Sequence, residues 1–322
     1  MTRLLDPRRL RIIAEEIGLR PTKTRGQNFV TDANTVRKIV SLAEVEADDV
    51  VAEVGPGLGS LTLGLLDAVA HVHAVEIEPV LAARLPRTVA EQDGDPARLT
   101  VTEADALQLT AFPDPQPVRV VANLPYNVAV PVLLHLFALM APADGAVGLR
   151  GGLVMVQSEV ADRMVAAPGS RTYGIPTVKL AWYASVARVG NVAPQVFWPV
   201  PRVDSGLVRL TGHPAPTSQV SRVKVFRVID AAFSQRRKML RGALAGICGG
   251  SEQATAVLEA AGVDPQARGE RLELAEFIAV AESLERITPA RLEPDRLEPD
   301  RLEPNRLEPD HSNESGESPA QH

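Results

Sequence analysis

Residues 50–62 read VVAEVGPGLGSLT: an apolar run closing on Glu53 and Val54, then Gly55, Pro56, Gly57, Leu58 and Gly59, then Ser60 opening an amphipathic segment. The order predicts strand, glycine turn, helix. Glycine has no Cβ, so it accepts positive φ and lets a ligand lie against bare backbone, and the helix start beyond it offers amides without intrahelical partners. A nucleotide-like cofactor fits such a turn. The dinucleotide fingerprint is G-x-G-x-x-G, whereas Gly55, Gly57 and Gly59 give G-x-G-x-G followed by Ser60, an imperfect match to a nicotinamide cofactor. A second acidic marker, Glu76, closes the next apolar run, HVHAVEIEP, 17 residues beyond Gly59. A carboxylate there can take both ribose hydroxyls of an adenosine. Taken alone, Glu53 or Glu76 is equally readable as a solvated strand-end acid.

Outward from this turn the pattern alternates. Strands are predicted at 50–54, 72–76, 99–102, 118–122 and 152–156, with helices at 60–69, 79–90 and 130–140 between them. Short apolar strands separated by helices predict a doubly wound, mostly parallel α/β sheet covered on both faces. Residues 177–189 and 203–210 read as two more strands, an antiparallel edge pair separated by the proline-rich FWPVP, which makes seven. Residues 220–285 carry apolar side chains at helical spacing in VFRVIDAAF, MLRGALAGI, ATAVLEAAG and LAEFIAVAESL, predicting a small all-α C-terminal domain. The expected division is a flexible basic arm at 1–25, a cofactor-binding domain at 26–215, a helical domain at 216–286 and a disordered tail at 287–322. In that tail RLEPD recurs at 291–295, 296–300 and 306–310, with RLEPN at 301–305, and proline every fifth residue forbids a continuous helix.

Length and composition bound the function. The 322 residues suit one large domain and one small one, and 45% hydrophobic with 23% charged residues is ordinary for a globular chain with a packed core. Cys248 is the single cysteine, which excludes a disulfide framework and a clustered-cysteine zinc site and agrees with a reducing compartment. His71 and His73 share a strand face with no carboxylate or cysteine set around them, so no metal is expected. The basic start MTRLLDPRRLRII has no apolar region of signal-peptide length, and the best apolar run, 128–141, is short and holds Pro131 and His135. A cytoplasmic protein with no membrane span is expected. The net charge of −6 is unevenly spread: residues 1–27 carry seven Arg or Lys against three acids, and residues 219–245 carry seven against Asp230 alone. Basic segments flanking a neutral core are the footprint of a phosphate-backbone ligand.

Strand 118–122 runs into Asn123, Leu124, Pro125 and Tyr126. Ligands of a doubly wound sheet bind beyond the carboxyl ends of its strands, so NLPY faces the same crevice as Gly55–Gly59. An aromatic amine is a poor nucleophile because its lone pair is delocalised into the ring. The Asn123 side-chain oxygen and the Leu124 main-chain carbonyl can each accept one amine hydrogen and hold the nitrogen in line with an electrophile. Pro125 stiffens that carbonyl, and Tyr126 offers a face for a stacked base. The plainer alternative is an ordinary strand-to-helix turn. Asp105, in TEADALQL, can accept from a cofactor adenine amine or be an exposed loop acid; Phe197, in VFWPVPRVDS, can stack on a bound base or anchor core; Asn28, in GQNF, can equally be a turn residue.

Taken together, GQNFVTD, EVGPGLGSLT, Glu76, Asp105, NLPYNV, FWPVPRVDS and FSQRRKML resemble the ribosomal RNA adenine dimethyltransferase family over about residues 20–285. The likeness is greatest to its bacterial small-subunit group, which dimethylates two neighbouring adenosines near the 3′ end of 16S rRNA. The resemblance implies a Rossmann-like class I methyltransferase fold, S-adenosyl-L-methionine as cofactor, and transfer to the adenine 6-amino group on an immature 30S subunit during ribosome biogenesis, by a monomer. It places Asn28, Val30, Gly55, Gly57, Glu76, Asp105 and Asn123 around the cofactor, and Asn123, Leu124, Pro125 and Tyr126 with Phe197 around the adenine. Val30 stands where the family usually has leucine. Arg236, Arg237, Lys238 and Arg241 are expected to meet rRNA phosphates; the alternative is a solvated helix face.

Three rivals differ in class. The erythromycin-resistance methyltransferases act on an adenine of 23S rRNA and share NLPY-type and FxPxP motifs, but FSQRRKML points to the small-subunit group. A nicotinamide oxidoreductase is disfavoured by the glycine spacing, and a non-catalytic RNA-binding assembly factor by intact Glu76, Asp105 and Asn123. The RLEPD tail has no counterpart in the resemblance.

Overall fold

Val51, Ala52 and Val54 are buried, and β-branched residues on a doubly covered surface favour the extended chain. Residues 50–54 accordingly form a strand inside a seven-stranded sheet. The computed structural model describes residues 1–20, 28–125, 128–142 and 145–288. Its first elements are α1 (Pro7–Glu16), β1 (Phe29–Val30), α2 (Ala33–Leu42), β2 (Val50–Val54), α3 (Ser60–Leu66), β3 (His71–Glu76), α4 (Pro79–Glu91), β4 (Leu99–Glu103), β5 (Arg119–Asn123) and α5 (Ala129–Leu139). Then come β6 (Gly151–Gln157), α6 (Ser158–Met164), α7 (Ile175–Leu180), β7 (Ala184–Val192), β8 (Phe197–Trp198) and β9 (Ser205–Gly212). The helices α8 (Arg222–Ser234), α9 (Leu240–Ala243), α10 (Ala245–Cys248), α11 (Ser251–Ala260) and α12 (Leu274–Ile287) follow.

The sheet order is β4-β3-β2-β5-β6-β9-β7. The first five strands are parallel, and β9 lies antiparallel between β6 and β7. This is the expected seven-stranded, mostly parallel α/β fold with an antiparallel pair at one edge. Strand order reverses between β2 and β5, so their carboxyl ends, Val54 and Asn123, open the crevice at the switch point.

Residues 1–20 are not a loose arm. Asp6 caps α1 by accepting from the Arg9 amide at 2.7 Å, Pro7 starts the helix where its missing N–H matters least, and Leu5, Leu10 and Ile13 are buried. Burying a leucine or isoleucine contributes roughly 1.5–3 kcal/mol. Glu91 of α4 accepts from both Arg9 and Arg84 at 2.7 Å, fastening α1 to the sheet's helical layer. Of the charges that suggested an arm, Arg9 is engaged with Glu91 inside the fold, while Arg8, Arg11 and Arg20 stay exposed. The rest of the expected arm, 21–25, and the RLEPD repeats lie outside the described residues.

Residues 177–180, read as the start of a strand, are helical in α7; the strand begins at Ala184. Pro176 sits in the first turn of α7, and the helix buries Lys179, whose Nζ donates to Asp230 of α8 at 2.9 Å and lies 5.0 Å from the Phe226 ring centroid. A cation on an apolar run gave a strand-like alternation. The C-terminal helices continue the core of the sheet: Phe226 meets Trp182 edge-on at 6.0 Å and belongs with Leu133, Val154 and Phe277 to one apolar cluster.

Candidate active site

The crevice beyond β2, β3 and β5 has a volume of about 280 Å³ and is lined by backbone of the glycine turn, by Asn28 and Val30 from β1 and its approach, and by Glu53, Glu76, Asp105 and Asn123. Gly55, Gly57 and Gly59 have φ of +69°, +59° and +96°, a region that side chains disfavour. At Gly57 the space is also taken, since a Cβ there would fall 2.6 Å from the Phe29 ring.

Glu76 is almost fully buried and both of its oxygens accept main-chain amides, Oε2 from Gly57 and Oε1 from Glu78, each at 3.0 Å. Burial raises its pKa, and the amides of Glu78, Gly57 and Ile77 pull it back. The carboxylate thus clamps the glycine turn to β3. Asp105 accepts from the Leu107 amide at 2.9 Å, which fixes it at the crevice wall beside Ala106 and Leu107.

Asn123 donates from Nδ2 to the Asn28 carbonyl at 3.0 Å. This orients the amide and leaves Oδ1 as its accepting end. Leu124 is anchored by its buried side chain and by its amide, which donates to the Met155 carbonyl at 3.0 Å; Val128 N–H donates to the Pro125 carbonyl at 3.3 Å. The Asn-Leu-Pro turn is therefore held at both ends. Tyr126 lies outside the described residues.

Phe197 does not present an open face. Its side chain is 2% exposed in the apolar cluster with Phe29, Val30 and Met155, and it is not part of the crevice lining, which corrects the expectation of a base-stacking residue. The reason is a two-residue antiparallel ladder in which Val30 faces Phe197 and Phe29 faces Trp198, reinforced by Thr31 N–H to the Val196 carbonyl at 2.7 Å. That ladder holds Asn28 where its carbonyl meets Asn123.

One acid noted in the sequence, but not expected among the cofactor-binding residues, also lines the crevice. Glu53 is 1% exposed, and its Oε2 has no hydrogen-bond partner. Burial pushes its pKa up to about 8, Thr62 partly offsets this, and the charge of Glu76 adds to it. Its signal was a lone carboxylate inside an otherwise apolar strand. Of the expected RNA contacts, Arg236, Arg237, Lys238 and Arg241 are all exposed between α8 and the end of α9. Arg236 is partly committed within the fold, to Glu270 at 3.3 Å and to the Arg171 carbonyl. His71 and His73 are engaged in the sheet, with Thr100 Oγ1 at 2.8 Å and the Pro115 carbonyl at 2.7 Å. Among the described residues no helix is long and apolar enough to cross a membrane.

A crevice at the switch point of a seven-stranded sheet whose last two strands are antiparallel, walled by a glycine turn and buried carboxylates, defines the class I methyltransferase fold. Two solved structures share the fold: a dimethyladenosine transferase from Plasmodium falciparum (TM-score 0.63, 22% identity, 78% of this chain and 95% of that one) and the 23S rRNA methyltransferase ErmE (TM-score 0.56, 24% identity, 80% and 100%). The model of the ribosomal RNA adenine dimethylase family matches residues 19–286, and the chain belongs to that family. Relatives named ribosomal RNA small subunit methyltransferase A include those of Cutibacterium acnes (60% identity, 88% of this chain and 95% of the relative) and Thermobifida fusca (58%, 87% and 96%). Family membership makes the protein an rRNA-modifying enzyme and sets aside the oxidoreductase reading.

Proposed function

We propose that this chain dimethylates the 6-amino groups of two adjacent adenosines near the 3′ end of 16S rRNA, in the cytoplasm, on an immature small subunit, with S-adenosylmethionine as methyl donor. The observation that carries the reading is the Asn123 amide, turned by the Asn28 carbonyl so that its oxygen is the accepting end beside a glycine-walled crevice. The near-60% identity to small-subunit relatives favours 16S over 23S rRNA as substrate.

The crevice suits the cofactor chemically. Gly55 and Gly57 offer bare backbone, Glu76 has acceptor capacity for a ribose diol, Asp105 can take an adenine amine, and Glu53, held protonated by burial, is favoured to ionise when a cationic ligand binds beside its unpartnered oxygen. When bound, S-adenosylmethionine supplies an electrophilic methyl group on a sulfonium centre. Asn123 Oδ1 and the Leu124 carbonyl each accept a hydrogen of the adenine amine, which holds the nitrogen in line with the electrophile. After one transfer the amine keeps one hydrogen, and one acceptor suffices to present it again. The target base must be unpaired or flipped out, because its amine is unreachable inside a duplex. Val30 and Asn28 line the same crevice as Asp105. A catalytic unit at 26–215 with a helical RNA-facing unit at 216–286 agrees with the placement of this crevice and of the basic segment after α8.

Labelled methyl transfer to small subunits and, in the same assay, large subunits, both lacking the modification, mapped by nuclease digestion, tests the reading. Two dimethylated adenosines near the 3′ end of 16S rRNA are expected; label confined to 23S rRNA, or none, refutes it.

A further inference from the structure

With Phe197 in the core, the target base needs another partner on the β6 side of Asn123. Strand register supplies one. Asn123 pairs with Met155 of β6, Met155 with Leu207 of β9, and Gln157 with Ser205. Register partners carry their side chains on one face of the sheet, as do residues two apart along a strand. Val121, Leu153, Met155 and Leu207 are buried together on one apolar face, so Asn123, Gln157 and Ser205 share it. They form a polar row at its rim, across the carboxyl ends of β5 and β6 and the start of β9. With about 4.8 Å between strands and about 3.3 Å per residue, the Gln157 Cα stands about 8 Å from that of Asn123, near enough for both side chains to reach one purine.

Folding alone leaves this row incomplete. Gln157 is the N-cap residue of α6, yet its side-chain amide caps no backbone N–H and makes no other hydrogen bond among the described residues. Ser205 is 1% exposed, and its Oγ has no hydrogen-bond partner among the described residues. A buried hydroxyl without a partner carries a desolvation cost that alanine would not. The backbone around both is fixed: Ser158 N–H donates to the Asp204 carbonyl at 3.0 Å, and the Arg188 guanidinium donates to Ser158 Oγ and Asn191 Oδ1, each at 2.7 Å.

We propose that Gln157 reads the ring of the target adenine: its Nε2 donates to N1, while the Ser205 hydroxyl donates to its Oε1 and turns the amide that way. This rests on the proposed adenine 6-amino substrate. The amine hydrogens go to Asn123 Oδ1 and the Leu124 carbonyl, so the adjacent ring acceptor is the polar atom still open on that edge. An amide nitrogen is a donor only. N1 is an acceptor in adenine and carries a hydrogen in guanine, so a donor placed there admits the first base and leaves an unpaired, opposed donor against the second. Gln157 is thus a specificity residue, and Ser205 a positioning residue that acts through it.

The test measures kcat and KM of the full chain on small subunits lacking the modification and reconstituted with adenosine or 1-deazaadenosine at the target positions, for the wild type, Gln157→Ala and Ser205→Ala. The analogue keeps the amine and replaces N1 by C–H. Wild type should lose about 10-fold in kcat/KM on the analogue. Gln157→Ala should show that loss already on adenosine and no further loss on the analogue, which cancels any change in the amine itself. Ser205→Ala should fall between the two and stay sensitive to the analogue, and all three proteins should keep the same thermal shift with S-adenosylmethionine. Losses that multiply when Gln157→Ala meets the analogue, as a merely structural defect gives, or a wild type indifferent to the analogue, overturn the contact and leave the dimethylation reading standing. Wild-type kcat/KM in Ser205→Ala overturns its positioning part. No transfer by the wild type to adenosine-containing subunits overturns both the contact and that reading.

Discussion

Glu53→Gln isolates the energetics of the crevice in one atom change. The wild-type carboxyl is buried at the end of β2 with one oxygen unpartnered, and burial lifts its pKa from the ordinary 4.5 to about 8. Between those values the folded chain keeps a proton that the unfolded chain has released, so stability falls as pH rises through this window. The gap corresponds to about 5 kcal/mol at full extent, at about 1.4 kcal/mol per pH unit, and water entry on ionisation makes it an upper bound. Glutamine mimics the protonated acid in shape and charge. The variant should therefore lack this slope and be more stable than wild type by a few kcal/mol at pH 8.5, while the two are close near pH 4.5. Urea unfolding at half-unit steps from pH 4.5 to 8.5 reads the difference directly. A cationic methyl donor favours the ionised acid, so wild-type cofactor affinity should rise with pH through about 8, and the variant's affinity should be weaker and flat. Parallel stability curves for the two proteins would refute the claim that Glu53 is protonated in the dry crevice.

Asn123→Ala should lower kcat by about 100-fold or more, since positioning is the main catalytic contribution, while the thermal shift with S-adenosylmethionine persists; a variant with full turnover removes the proposed role of the amide. Gly57→Ala places a Cβ 2.6 Å from the Phe29 ring at φ +59°, and should destabilise the fold by roughly 1–3 kcal/mol and weaken cofactor binding by calorimetry. Glu91 is held at a pKa of about 2, chiefly by its hydrogen bond from Arg84, with Arg87 adding to it. Its folded pKa is depressed, so the stability it contributes is present above pH 4.5 and lost as pH falls through about 2. Acid unfolding should show wild type and Glu91→Gln differing at pH 6 and converging near pH 2.

The sequence by itself determined the alternation of strands and helices, the turn at Gly55–Gly59, and the presence of Asn123 after a strand, because these depend on local periodicity and backbone freedom. It also carried Glu76 and Asp105, whose distances from the glycine turn follow from the strand–helix repeat. The tertiary structure decided what depends on contacts between distant segments. The two-residue ladder of β1 with β8 joins positions some 170 residues apart, and no local pattern announces it. That ladder takes Phe197 out of the crevice into core and sets the Asn28 carbonyl on Asn123. Lys179 looked like the polar half of a strand until the fold buried it beside Asp230 and Phe226. Arg8, Arg9 and Arg11 gave the start of the chain the look of a basic arm, yet within residues 1–20 Asp6 caps a helix, Leu10 and Ile13 are buried, and Arg9 binds Glu91 of α4. Glu53 is the sharpest case: its identity is plain in residues 50–54, but its raised pKa exists only because tertiary burial removes the water that would have ionised it.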